Sequence, residues 1–338
     1  LIVKAVASGV FNIRVGPDHL PEMYSWIAIL FCVTMIVLSW LTTRIQRHRL
    51  VMSLFFLLAI VLGINTVALI GAQSAANPVG DRFYSFLFVS SELIRNIAGF
   101  QVWIVAGGIC FASRAKVLFP LLAASTTLGD ISGGFLVGAL GRLDWASWQI
   151  YGLAAVNTLI VIGLLRPLMR RYFVTPAGES SGGAASMRQN LDYFARSSYL
   201  RALFVLSLVL FALYTAIHYG FNVVARESFA DEAQITGYFG AFFAIAGLAT
   251  MLTTTFLLRH VLRWLGVGNV YLWVCIIHAV AAALLIGAFG QVVPLPVLAV
   301  IFAINLLNYV LLDAVIAPTY QVLMKLVPDR NADGVRMI

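Results

Sequence analysis

Charge is the scarcest commodity in this chain: only 11% of its 338 residues are Asp, Glu, Lys or Arg. An average soluble domain carries about 25%, so a soluble fold of this composition could not cover its surface. Cysteine is nearly absent as well. Cys32, Cys110 and Cys275 all sit inside apolar runs, with neither metal-ligand spacing nor the even count of a disulfide framework, and they read as small core residues. The sequence contains no phosphate-cradling glycine loop, no metal-ligand cluster and no nucleophile triad. An enzyme is therefore not expected, and neither a cofactor nor a metal.

What fills the sequence is apolar surface. Hydrophobic residues make up 61% of it, and the mean hydropathy is +0.94. Barrel strands would alternate apolar and polar residues over about ten positions. Here the apolar runs extend for about 20 residues or more, the length a helix needs to cross a bilayer. In lipid every backbone polar group must be satisfied internally, which helices achieve. The expected fold is all-α and polytopic, surrounded by membrane lipid. Spans are expected near 1–13, 20–42, 50–72, 83–111, 118–141, 148–169, 200–225, 236–258, 268–290 and 295–325.

Leu1 opens inside an apolar segment with no charged leader, and the chain stops at VRMI where a new segment would begin. The sequence thus reads as truncated at both ends, with about ten helices present. Alternate loops hold 16 of the 22 basic residues, among them Arg44, Arg47, Arg114, Lys116, Arg170, Arg171, Arg259 and Arg263. The opposite loops carry the acids Asp18, Glu22, Asp81, Asp144, Glu227, Asp231 and Glu232. Positive loops stay cytoplasmic, so the basic loops and the long central one are expected there. The net charge of +8 is accounted for by these loops and needs no nucleic-acid partner.

The central stretch 170–199 has a Gly/Ser/Ala-rich middle, read as a flexible linker, followed by the amphipathic piece MRQNLDYFARS, read as lying at the membrane surface. It separates a six-helix half, 1–169, from a second half, 200–338, holding helices seven to ten and the start of an eleventh. The halves echo each other: Asp18 precedes Arg44 by 26 residues, and Asp231 precedes Arg259 by 28. Six helices, a basic linker and a repeating second half are the 6+6 organisation of a major facilitator fold.

Ionisable residues inside a bilayer are costly unless paired or wet, so each is a candidate for function. Glu92 and Arg95, at i,i+3, share a helix face and suit an ion pair that either positions the helix or opens to take substrate or a proton; Asn96 flanks them. Lys4 would attract an anion, or would snorkel if it lay at a helix end. Asp130 lies in the small-residue segment TTLGDISGGFLVGALG, where it either bonds a neighbouring backbone or couples a proton. Asp313 lies between Asn308 and Pro318, and proline frees a carbonyl in the preceding turn. Asp130 and Asp313 are the candidates for ion or proton coupling. His218 is a weaker candidate, and His278 reads as hydrogen-bonded core.

With these residues in view, the chain resembles the ATP/ADP translocase (nucleotide transporter) family, a branch grouped with the major facilitators. Three stretches carry the likeness: Lys4 with the Leu20-Pro21 start of the second helix; Ser91-Glu92-Leu93 with Ala115-Lys116 and Pro120-Leu121; and the region IHYGFNVVARESFADEAQITGYFGAFFAIAGLATM, especially from Phe229 to Gly240. The resemblance implies a multi-pass protein of a bacterial inner membrane, without cofactor, that exchanges ATP and ADP by antiport. It also implies that Lys4 and Glu92 match a first-helix lysine and a fourth-helix glutamate that bind substrate. The family's seventh-helix glutamate has no counterpart, its place falling at or beside His218. The chain is closer to divergent bacterial relatives, often fused to regulatory domains. Two functions follow as expectations: an alternating-access transporter of an anionic solute, nucleotide included, binding through Lys4, Glu92, Arg95, Asn96 and His218; or a transporter-fold membrane subunit with a structural or sensory role in a larger complex, with a fused or associated soluble domain.

Overall fold

The computed structural model describes residues 1–45, 47–74, 80–109, 112–143, 145–172, 193–290 and 297–324. Among them there is no strand. The helices are α1 (Ile2–Arg14), α2 (Leu20–Arg44), α3 (Arg47–Ser74), α4 (Asp81–Ile109), α5 (Ala112–Arg142), α6 (Ser147–Tyr172), α7 (Ser198–Ser228), α8 (Glu232–Leu252), α9 (Leu258–Leu265), α10 (Val267–Gly290), α11 (Val297–Val310) and α12 (Ala317–Met324). Among the described residues six apolar stretches are long enough to cross a membrane: Pro17–Leu38, His48–Ala72, Ser147–Met169, Ser198–Ser228, Glu232–Leu265 and Val297–Tyr320. These features are those of a polytopic membrane protein. The central linker over 173–192 and the start of an eleventh segment over 325–338 lie outside the described residues, and of the amphipathic piece only the helical turn at 193–196 is described.

Two spans run differently from the simple pattern. α8 continues through a π-helical stretch, Thr253–Leu257, into α9, so the rod ends at Leu265 rather than near 258. α11 continues through a second π-helical stretch, Leu311–Ile316, into α12. Pro318 lies two residues beyond that second stretch, and its missing N–H removes one donor from the backbone ladder there. Between α1 and α2 the chain reverses at Gly16, whose φ of 101° is a conformation side-chain-bearing residues avoid. Pro17–His19 then forms a 3₁₀ turn that starts α2.

The chain divides into two compact units. The first comprises Leu1–Pro176 with Phe229–Ala244, and the second Ala177–Ser228 with Ile245–Ile338. In the first unit α1 is the central helix: every residue from Val3 to Asn12 is buried. It packs against α4, α5 and α6. Phe11 lies on Phe88 of α4, ring centroids 4.8 Å apart. α3 and α6 form a second antiparallel pair, with Val51 and Phe55 against Ile162 and Met169. α5 meets the first part of α8 almost backbone to backbone. A Cβ on Gly134 would come within 2.6 Å of the Ala244 amide, and one on Gly141 within 2.8 Å of the Gly237 Cα. Glycine lets membrane helices approach this closely, and dispersion between backbones then replaces side-chain interdigitation.

In the second unit Leu200, Leu203 and Leu210 of α7 form one core with Val270, Tyr271 and Val274 of α10 and with Val310, Ala314, Val315 and Ile316. Large apolar side chains such as Leu164 and Phe135 in the first unit, and Phe256 in the second, are left exposed. In water such a surface would drive aggregation; in lipid it is simply solvated.

Candidate functional site

The charged cluster in the first unit follows from helix geometry. Glu92 is the twelfth residue of α4, roughly 16 Å along its axis. Lys4 of α1 reaches it across the α1–α4 seam, with Nζ 2.9 Å from Oε1. Arg95, one turn on from Glu92, takes the other carboxylate oxygen, with Nε 3.3 Å from Oε2. The Lys4 and Glu92 side chains are 5% and 11% exposed, whereas that of Arg95 is 37% exposed. One buried carboxylate therefore bridges two cations from two helices. The Lys4 ammonium also lies 5.5 Å from the centre of the Phe243 ring in α8, a cation–π distance. Asp130 of α5 is half-buried and within electrostatic reach of Arg95 and Lys4. Lys4, Glu92, Arg95 and Asp130 thus share one region, and Asn96 sits half-buried beside Arg95.

Three polar side chains behind this cluster escaped the sequence reading. Residues 91 and 92 point about 100° apart on a helix, so Ser91 faces away from Lys4. Its hydroxyl lies 3.0 Å from the Tyr151 hydroxyl of α6. Asn65 of α3 donates to both Tyr151, at 3.1 Å, and Ser90, at 3.0 Å. All four groups are buried, and together they pin α3, α4 and α6 behind Glu92. The signal was present: Asn65 interrupts the apolar run VLGINTVALIG, and a lone amide there needs partners. Tyr151→Phe is expected to lower stability by about 1 kcal/mol, read as earlier thermal unfolding in detergent, because it strands one donor of Asn65 and takes a partner from Ser91.

A second ionic contact closes the far end of the same unit. Arg14, at the end of α1, bonds Glu232, at the start of α8, with Nε and Nη2 each 3.2 Å from Oε2. Ser147, which starts α6, donates to the other oxygen of Glu232. An open groove of about 540 Å³ lies nearby, lined by His19, Glu22, Trp26, Asp81, Arg82 and Phe86 among others. Neither Lys4 nor Glu92 lines it.

The remaining candidates lie in the second unit. His218 of α7 is buried between Tyr214 and Phe221, with ring centroids 5.9 and 6.0 Å away. Asn305 of α11 lies 3.5 Å from its Nδ1. His278 of α10 is also buried, bonded through Nδ1 to the Val274 carbonyl at 2.8 Å, which matches a core role. Asp313 sits on the π-helical stretch with its side chain exposed. The Ala115-Lys116 and Pro120-Leu121 side chains lie outside the described ones. Among the described residues no group of three or more His, Cys, Asp or Glu is placed to hold a metal. Compared with known proteins, the chain matches no family model, no curated protein and no solved structure.

Proposed function

We propose that the chain is a secondary transporter of an anionic solute, of major facilitator type, in which Lys4, Glu92 and Arg95 form the solute site. The observation that carries this reading is the sharing of one buried carboxylate by two cations. A pair alone would be a closed structural unit. Lys4 and Arg95 offer an incoming anion two cations from two helices, and Glu92 keeps Arg95 while it yields Lys4. Exchange of a protein carboxylate for a solute phosphate or carboxylate at Lys4 is a switch whose two states have similar charge. That near-balance is what allows turnover rather than trapping. Asp130 stands close enough to hold or release a proton as that charge changes.

Nucleotide exchange is the specific version of this reading, supported by the resemblance at Lys4 and Glu92. Proteoliposomes loaded with ADP should take up labelled ATP saturably, and Glu92→Gln should abolish the uptake. Absence of ATP and ADP movement under either gradient ends the nucleotide version and leaves other organic anions to be tested in the same vesicles. If none moves, the second reading stands: a transporter-fold subunit whose ion cluster only positions helices.

A further inference from the structure

The basic end of the second unit carries a group of side chains that solute transport does not use. The apolar span Glu232–Leu265 has 34 residues, far more than the about 20 a helix needs to cross a bilayer. Its last two turns, α9, therefore emerge at headgroup depth. α9 has two distinct faces. Leu258, Val261, Leu262 and Leu265 pack on the core formed by α7 and α10. Arg259, His260, Arg263 and Trp264 are exposed, and Trp264 reaches 91% exposure. His260 folds back on its own helix, with Nδ1 3.0 Å from the Phe256 carbonyl. Arg259 and Arg263, at i,i+4, point the same way.

Among the described residues the charged side chains around α9 are basic. Tyr193, Phe194, Leu200 and Leu203 border the same core as α9, which brings Arg196 and Arg201, both exposed, to this end of the unit. The described acids of the unit are Glu227, at the opposite end of α7, and Asp313, within the α11–α12 rod. Among the described residues no carboxylate pairs with Arg259 or Arg263. Flexible loop arginines would satisfy the charge asymmetry of a membrane protein equally well. Here the arginines are instead mounted on a packed helix beside an exposed indole, the residue that settles at the membrane interface. Gly266, with φ of 75°, lets the chain turn from α9 into α10.

We propose that Arg259, Arg263 and Trp264 form a binding site for the phosphate headgroup of an anionic phospholipid. The two guanidinium groups bracket the phosphodiester, each able to give paired hydrogen bonds, while Trp264 lies against the glycerol and upper acyl chain. Arg201 adds long-range attraction. The neutral phosphocholine headgroup carries its own cation and gains little here.

The test uses the full chain reconstituted in vesicles of dioleoyl lipids doped with brominated phosphatidylglycerol or brominated phosphatidylcholine. The Trp264 contribution to fluorescence is the difference between the unchanged protein and Trp264→Phe. Brominated phosphatidylglycerol should quench that contribution at several-fold lower mole fraction than brominated phosphatidylcholine. Arg259→Gln with Arg263→Gln should remove the preference, on the order of a tenfold change, with the helical circular dichroism retained. Arg259→Lys with Arg263→Lys should keep the charge but lose the paired hydrogen bonds, and so retain only part of it. Equal quenching by the two lipids, or a preference that survives the double glutamine change, overturns the site. Displacement of the preference by inorganic phosphate at constant ionic strength reassigns it to a soluble anion and overturns the lipid claim.

Discussion

Glu92→Gln is expected to destabilise the folded protein by about 3–4 kcal/mol and to abolish uptake of any transported anion. The reason lies in what the change leaves behind. Lys4 is buried on α1, which is enclosed by α4, α5 and α6, and it would lose the carboxylate 2.9 Å away. Breaking a buried pair at one partner costs about 3–5 kcal/mol, because the other charge stays uncompensated. Neutralising an ordinary lysine near pH 7.4 costs about 4 kcal/mol, which caps the penalty. Arg95, partly exposed, can turn to polar surroundings and contributes less. Removing both partners reverses the balance: Lys4→Met with Glu92→Leu should regain stability to within about 1 kcal/mol of the unchanged protein. Unfolding by SDS titration in mixed micelles measures the cycle. A transporter site predicts a stable double variant with no uptake. Additive losses, with the double variant the least stable, would show that the two side chains do not depend on each other.

Gly240→Leu should prevent folding altogether, with a cost above about 3 kcal/mol. A Cβ at Gly240 would stand 2.5 Å from the Gly138 amide nitrogen and 2.9 Å from the Gly134 carbonyl oxygen. Both are backbone atoms on α5 and neither can swing aside, so α5 and α8 must separate along the whole seam. Even Gly240→Ala should cost about 1–3 kcal/mol. Gly63→Ala is the control, since a Cβ there meets nothing within 4 Å; it should change stability by no more than about 0.5 kcal/mol. Yield of monodisperse protein after detergent extraction, followed by thermal unfolding, separates the three. A well-folded Gly240→Leu protein would mean the seam is not part of the native packing.

Residues differ sharply in how much of their role could be read in advance. Glu92 and Arg95 were legible as a pair because i,i+3 spacing is a local property of one helix. Lys4 was legible as a candidate but not as the partner of Glu92, from which 88 positions separate it in the chain. The spans of α2, α3 and α6 were legible to within a few residues because length and apolarity alone define them. The extension of α8 into α9 was not: Arg259 and Arg263 read as a loop, whereas their apolar neighbours Leu258 and Leu262 pack on the α7–α10 core and keep the chain helical. Asn65 and Tyr151 were missed because each is a single polar residue in an apolar run, with nothing nearby to suggest a partner.

Composition and run length by themselves determined that the chain is helical, that the helices are of membrane-spanning length, and where most of them start and stop. These follow from backbone hydrogen-bond satisfaction in lipid, which depends on each segment alone. Which helices touch was decided only in three dimensions. In a soluble helix the apolar stripe names the buried face; a helix in lipid is apolar on every side, so that stripe is erased. The sharing of Glu92 by Lys4 and Arg95, the Gly134–Gly240 seam and the exposed Arg259–Trp264 face all depend on which sides of the helices meet. That choice is made by shape and by a few buried polar atoms, not by hydrophobicity.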